Sequence, residues 1–299
     1  MMIPTLFSVS YAGLWGQAQL DLLDFVSKAA DLGYGAVELM GKRPHLSVRD
    51  TKPEDLATLS EAARAHKIEI ATIAGYTDFT AAKSAAEVPF VEMQVAYVDA
   101  LARMGKTLGA KIVRVFTGYT TDPEAGQADW TKCVTAIREC ASAAAEHGLI
   151  LGVQNHHDVA VSAGAYIEFL HDVGHSNCKA MFDPWSAALH GEDLYACAKV
   201  MAPHMVQTTL ADYLRLKRYA YMPGLVNYRE LPAMVRAVPL GDGFIDLAGF
   251  FRGLKEGGFS GYVAYEMCSP LRGGGTLKNL DATARKSLER IRALIGDVG

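Results

Sequence analysis

Two carboxylates close apolar runs in this chain: Glu266 follows Tyr262-Val263-Ala264-Tyr265, and Asp183 follows Ala180-Met181-Phe182. Glu38 ends the shorter run Ala36-Val37. An ionised group in such a place is costly unless it is paired, hydrogen-bonded or bound to a cation, so each points either to chemistry or to a buried ion pair. Arg114, within Ile112-Val113-Arg114-Val115-Phe116, is a cation that either pairs with one of them or faces a developing oxyanion. Gln154 and His156 stand two apart at the end of a further apolar run; in an extended strand that spacing puts both on one side, with Asn155 and His157 directed elsewhere. A carboxylate with an arginine and a histidine in a mostly apolar mouth suits abstraction of a proton next to a carbonyl. Glu266 is then the base, and a bound metal, Arg114 or His156 stabilises the enediolate oxygen. Tyr76, Trp185 and Tyr213 are aromatic groups that either stack on a sugar ring or pack beneath loops, and His45, in Lys42-Arg43-Pro44-His45, reads as scaffolding.

These groups recur at equivalent points of a repeated unit, in which a helical pattern ends near Gly and a short β-rich run follows. The clearest copies are Leu32–Leu39, Leu108–Phe116, His147–Gln154 and Gly257–Glu266; weaker ones run over Leu6–Tyr11, Glu69–Ala74, Cys178–Asp183 and Met205–Leu210. Eight strands alternate with helical patterns near residues 17–32, 53–66, 87–109, 129–147, 160–173, 192–202, 246–257 and 277–296. Thr51, before Pro53, and Asp246 read as helix caps. Strict alternation implies parallel strands with right-handed crossovers. No GxGxxG follows the first strand, so an open doubly wound sheet is disfavoured. The expectation is one (β/α)8 TIM barrel domain over residues 1–299. In that fold chemistry sits at the carboxyl ends of the strands, where every candidate above falls.

Residues 212–243 break the rhythm and read as an insertion after the seventh strand. Its Leu214–Tyr221 stretch alternates cations with apolar and aromatic groups. Two readings compete: an arm packed on a neighbouring subunit of a homo-oligomer, or a lid carrying Tyr213 and Arg215 onto the substrate. Arg272, in the loop with Gly273-Gly274-Gly275, is expected to help the lid; those glycines either seat a phosphate or stay flexible.

The bulk composition narrows the partners. A formal charge of −4 with no Lys/Arg-rich tract argues against nucleic acid and anionic membranes. No apolar run reaches a membrane span and the N-terminus has no signal pattern, so a cytoplasmic location is expected. Five cysteines without CxxC spacing read as reduced thiols rather than disulfides or a thiolate zinc site.

The runs Gly152-Val153-Gln154-Asn155-His156, Met181-Phe182-Asp183, Thr208-Thr209-Leu210-Ala211-Asp212, Gly241–Asp246 and Tyr265-Glu266 together resemble the xylose isomerase-like barrel superfamily, in this order along nearly the whole chain. The resemblance implies a sugar isomerase or epimerase acting on a small carbohydrate. It also implies a divalent metal such as Mg, Mn or Zn held by Glu, Asp, His and Glu at the ends of strands five to eight. The matching positions here are Gln154, Asp183, Thr209 and Glu266, so two of four ligands are neutral. Gln154 cannot carry a proton, which shifts weight from two-base epimerisation toward a lyase or dehydratase acting on a keto-sugar or keto-cyclitol. A catalytically silent sugar-binding barrel is the competing class.

Overall fold

The computed structural model describes residues 1–81, 87–119, 124–156 and 159–296. His157 lies outside them. Parallel strands β1 (Met2–Phe7), β2 (Ala36–Met40), β3 (Glu69–Ala74), β4 (Ile112–Val115), β5 (Ile150–Gln154), β6 (Cys178–Met181) and β7 (Met205–Leu210) wind in sequence order. β8 (Asp212–Met222) and β9 (Asn227–Val238) form a separate antiparallel ribbon, and β10 (Gly261–Tyr265) closes the barrel between β7 and β1. The expected barrel is therefore the observed one.

Outside the barrel lie α1 (Leu22–Leu32), α2 (Pro53–Ala65), α3 (Phe90–Leu108), α4 (Gly126–Glu146), α5 (Ala163–Val173), α6 (Pro184–Leu189), α7 (Leu194–Met201), α8 (Leu247–Glu256) and α9 (Leu277–Gly296). Among the described residues none is long and apolar enough to cross a membrane. Strand residues such as Val113, Val115, Leu151, Val153 and Val263 are fully buried in one continuous apolar layer beneath these helices. Alternation along the pleat then turns their neighbours Arg114 and Gln154 the other way, toward the barrel axis. All five cysteines are free thiols, four of them buried.

Several boundaries differ from the periodicity. Helix α1 starts at Leu22 because Asp21 accepts the Asp24 N–H at 2.9 Å and caps it; Gln17 and Gln19 are instead held in extended bridges. Lys52, not Thr51, is the N-cap of α2, whose Asp55 carboxylate accepts the Lys52 N–H at 2.8 Å. The capping role of Asp246 holds, with its carboxylate accepting the Gly249 N–H at 2.9 Å. The short α6 follows β6 directly, in a segment where no helix was expected, and the helical pattern at 192–202 is α7 alone.

The insertion is a ribbon rooted by Asp212. Its carboxylate accepts the N–H groups of Tyr213, Gly241 and Gly243 at 2.9 Å each and of Ile245 at 3.3 Å, tying the start of β8 to the turn beyond β9. Only glycine fits at 243, since a Cβ there would lie 1.9 Å from Asp212 Oδ1. Replacing Asp212 with alanine strands several amides in a buried turn, and a loss of about 2–4 kcal/mol is expected by chemical denaturation. A change below about 0.5 kcal/mol would show that water satisfies those amides instead.

Beyond its root the ribbon is exposed, with Leu225 at 73% and Val226 at 79%. The Gly273–Gly275 segment, expected to be flexible or a phosphate seat, is a pinned turn. Gly273 and Gly274 have φ of 84° and 89°, and Asn279 Nδ2 donates to the Arg272 and Gly274 carbonyls at 3.0 and 2.6 Å.

Candidate active site

At the carboxyl ends of the strands the barrel encloses a cavity of about 360 Å³, onto which Arg114, Gln154, His156, Glu266 and Lys42 open. Its wall is a chain of rings: Tyr76 meets Phe116 at 5.9 Å between centroids, Phe116 meets His156 at 5.2 Å, His156 meets Trp185 at 6.1 Å and Trp185 meets Tyr213 at 4.9 Å. The edge-to-face and tilted contacts hold each ring by the next, leaving apolar faces suited to the C–H face of a ring-shaped ligand.

Arg114 is the largest fully buried side chain, 1% exposed. Its Nε lies 3.6 Å from Glu38 Oε1, and its guanidinium carbon lies 4.2 Å from the Phe116 ring centroid and 4.8 Å from that of Tyr76. Both Nε and Nη1 lack a hydrogen-bond acceptor, and Glu38 Oε1 lacks a donor. The other Glu38 oxygen accepts Gln207 Nε2 at 2.6 Å, and Gln207 Oε1 accepts the Thr72 hydroxyl at 2.6 Å, a polar layer beneath the cavity. Burial raises the Glu38 pKa to about 7 against the lowering pull of Arg114.

Glu266 begins the loop after β10, its N–H donating to the Leu210 carbonyl at 3.0 Å. Burial pushes its carboxyl up to about 8; Asp183 adds repulsion and Arg114 opposes it. The Cys268 thiol donates to Glu266 Oε1 at 3.4 Å, and the Tyr213 hydroxyl meets that thiol at 2.8 Å. The base of the ribbon is thereby connected to the carboxylate.

The implied metal set does not fit a divalent cation. Asp183 is fully buried as the N-cap of α6, Oδ1 accepting the Ser186 N–H at 3.1 Å, while Gln154 Nε2 donates to Oδ2 at 3.0 Å. Turning the amide over would set its oxygen against that carboxylate, so a donor and not a lone pair faces the place of the ion. Thr209 is buried with an unpartnered hydroxyl and takes no part in the cavity wall. Among the described residues no three His, Cys, Asp or Glu side chains gather to hold a metal.

Of the residues anticipated for the substrate, Tyr76, Trp185 and Tyr213 line the cavity, while Glu38 stands behind Arg114. Arg215 and Arg272 do not line it, whereas Tyr213 at the root of the ribbon does. The Arg215 guanidinium stacks 3.9 Å from the Phe244 ring and donates to the Ala188 carbonyl at 3.3 Å, on the outside of the ribbon's root. Arg272 is an exposed member of the pinned turn, its N–H donating to the Ala237 carbonyl at 2.9 Å. His45 is scaffolding, set between the Ser8 hydroxyl at 3.0 Å and the Leu20 carbonyl at 3.1 Å. Lys42, Phe116 and Trp15 were not anticipated as lining residues. Lys42 and Phe116 directly follow the ends of β2 and β4, a placement that strand-end reasoning could have caught.

The structure is a parallel eight-stranded α/β barrel with a buried acid, a buried guanidinium and an aromatic wall at its strand ends. The chain belongs to the xylose isomerase-like TIM barrel family, whose profile matches residues 26–294. Solved structures with the same fold include a D-psicose 3-epimerase from Clostridium cellulolyticum H10 with D-tagatose, at 16% identity and TM-score 0.75, covering 98% of this chain and 99% of that one. A xylose isomerase domain protein from Alicyclobacillus acidocaldarius is 20% identical with TM-score 0.72, covering 99% of each chain. The probable 3-DHS dehydratase involved in petrobactin synthesis from Bacillus anthracis is 15% identical with TM-score 0.73, covering 97% of this chain and 98% of that one. No curated protein matches the chain significantly by sequence.

Proposed function

We propose that this protein is an enzyme that removes a proton from the carbon next to the carbonyl of a small polyhydroxylated ketone. The observation that carries the reading is a buried carboxylate, Glu266, and a buried guanidinium, Arg114, with unmade hydrogen bonds, both opening on one ring-lined cavity. Glu266 takes the proton; the C–H electron pair moves into the new C=C bond and the carbonyl π pair onto oxygen, where Arg114 meets the charge. His156 returns a proton, either at the neighbouring carbon or oxygen of an isomerase or to a departing hydroxyl. The mostly apolar lining lowers the dielectric around the charge pair relative to water. The structural likeness to a sugar epimerase is in keeping with this substrate class.

Elimination is the second reading, favoured by Gln154. With no second proton-carrying carboxylate at that strand end, symmetric transfer across two faces of a carbon has no partner for Glu266. A dehydration needs only one base: the α-proton goes to Glu266, the β-hydroxyl leaves as water after protonation by His156, and a C=C bond remains.

The test is proton NMR in deuterated solvent with a panel of keto-sugars and keto-cyclitols. Exchange of the α-hydrogen supports the common step, and a new vinyl signal selects elimination. Tight binding with neither would establish a silent sugar-binding barrel. Because Glu266 acts ionised, kcat/KM should rise with pH through about 8 and level off above it. A profile flat from neutral to alkaline pH would assign the base elsewhere.

A further inference from the structure

Two buried groups at the cavity, the Tyr76 phenol and the Arg114 guanidinium, have donors without acceptors, and the half-buried Lys42 ammonium lies beside them. Lys42, on the loop after β2, sets Nζ 3.9 Å from the Tyr76 ring centroid, and among the described residues it has no carboxylate partner. The Tyr76 hydroxyl is buried without a hydrogen bond, and the buried Arg114 leaves Nε and Nη1 unmade. Arg114 stands 4.8 Å from the centroid of that same Tyr76 ring, so the two cations and the phenol belong to one corner of the cavity. Burial and the charge of Arg114 lower the Lys42 pKa, and burial holds the Tyr76 phenol well above its ordinary value, so it stays a donor.

Unmade buried donors are costly and are retained where a ligand supplies the acceptors. A neutral polyol brings its own donors and would leave two adjacent cations facing hydroxyls. Glu38 lies 3.6 Å from Arg114 and Glu266 opens on the same cavity, so among the described residues the cavity's cation with no carboxylate in ion-pair distance is the single ammonium of Lys42. One unit matches a carboxylate better than a phosphate dianion, and a planar carboxylate presents lone pairs to an ammonium and a phenol together.

Resting on the reading above, we infer that the substrate is a hydroxylated keto acid whose carboxylate is bound by Lys42 and the Tyr76 hydroxyl, leaving Arg114 for the carbonyl oxygen. The chemistry of Lys42 thereby sets specificity, while Glu266 and Arg114 run the proton transfer.

The test compares matched ligands by calorimetry on the wild type and on Glu266→Gln, which retains the corner: quinate against inositol, gluconate against sorbitol, and fructose 6-phosphate and inorganic phosphate against fructose. Both proteins are expected to bind the carboxylates about tenfold or more tighter than the neutral partners. Lys42→Met should erase most of that preference and Tyr76→Phe part of it, with neutral-ligand affinity little changed and Lys42→Arg close to wild type. Equal binding of acid and polyol, a preference that survives Lys42→Met, or no carboxylate binding at high millimolar concentration overturns the inference. So does tighter binding of the phosphates through Lys42. Solvent exchange on neutral ketoses without a carboxylate preference sinks the subsite alone; a carboxylate preference without exchange on any keto acid sinks the proton-abstraction reading alone.

Discussion

Glu266→Gln is expected to lower kcat/KM by about 10³-fold, within the range that a positioned general base contributes, while the barrel stays folded. The amide keeps the shape of the side chain and can still face Cys268, so packing is conserved. The variant also carries a stability signature that reports the burial of the carboxyl. The folded-state pKa of Glu266, raised to about 8 chiefly by burial, lies far above the ordinary carboxylate value. A raised acid binds its proton more tightly in the folded chain, so the stability it contributes is fully present below the unfolded pKa and is lost as pH rises through about 8. Wild-type stability should therefore decline as pH rises from the ordinary carboxylate range through about 8 and level off above it, and Glu266→Gln should remove the part of that decline nearest pH 8. Activity above a tenth of wild type would remove Glu266 from the base position; an unchanged stability profile with activity lost would mean the carboxylate acts ionised in a wetter setting than its burial implies.

Removing the guanidinium with Arg114→Met should be the most damaging single change. It strips the cation from a fully buried Glu38, and breaking such a pair costs about 3–5 kcal/mol. It also removes the group facing the oxyanion, which is worth about 10²–10³ in kcat. The two effects separate in the double variant Arg114→Met with Glu38→Gln: once that carboxylate is neutral the broken pair leaves no unpaired charge behind, and Gln207 and Thr72 still provide partners for the amide. Denaturation midpoints should recover most of the lost stability while turnover stays low. Recovery of both would show that Arg114 serves only to neutralise Glu38. Recovery of neither would show that the three rings around the guanidinium, rather than the ion pair, set the cost.

What the chain determined without help was periodic. Glycine-ended helices followed by short β-rich runs specify a parallel α/β rhythm, because the two periods and their stop signals are local properties of neighbouring residues. Strand ends then place Arg114, Gln154, His156 and Glu266 at one end of the barrel, since every βα unit points the same way. Sequence also shows the replacement of two metal-ligand types at Gln154 and Thr209, for a side chain's donor chemistry needs no coordinates.

The remaining decisions rest on distances between residues far apart in the chain. Asp183 is equally legible as ligand or helix cap until α6 is seen to start on it; cap formation depends on whether the next turn is helical, and a six-residue helix has too little periodicity to announce itself. Arg215 sits in a cation-rich stretch that reads as a lid, yet the direction in which a two-stranded ribbon leaves its root is set by Asp212 and the 241–245 turn, and that direction carries the guanidinium to Phe244. Lys42 shares a short motif with the scaffolding His45, and nothing local separates their roles. Only closure of the barrel sets Lys42 over the Tyr76 ring beside Arg114, because opposing charges and unmade donors are tertiary quantities, defined by which strands become neighbours.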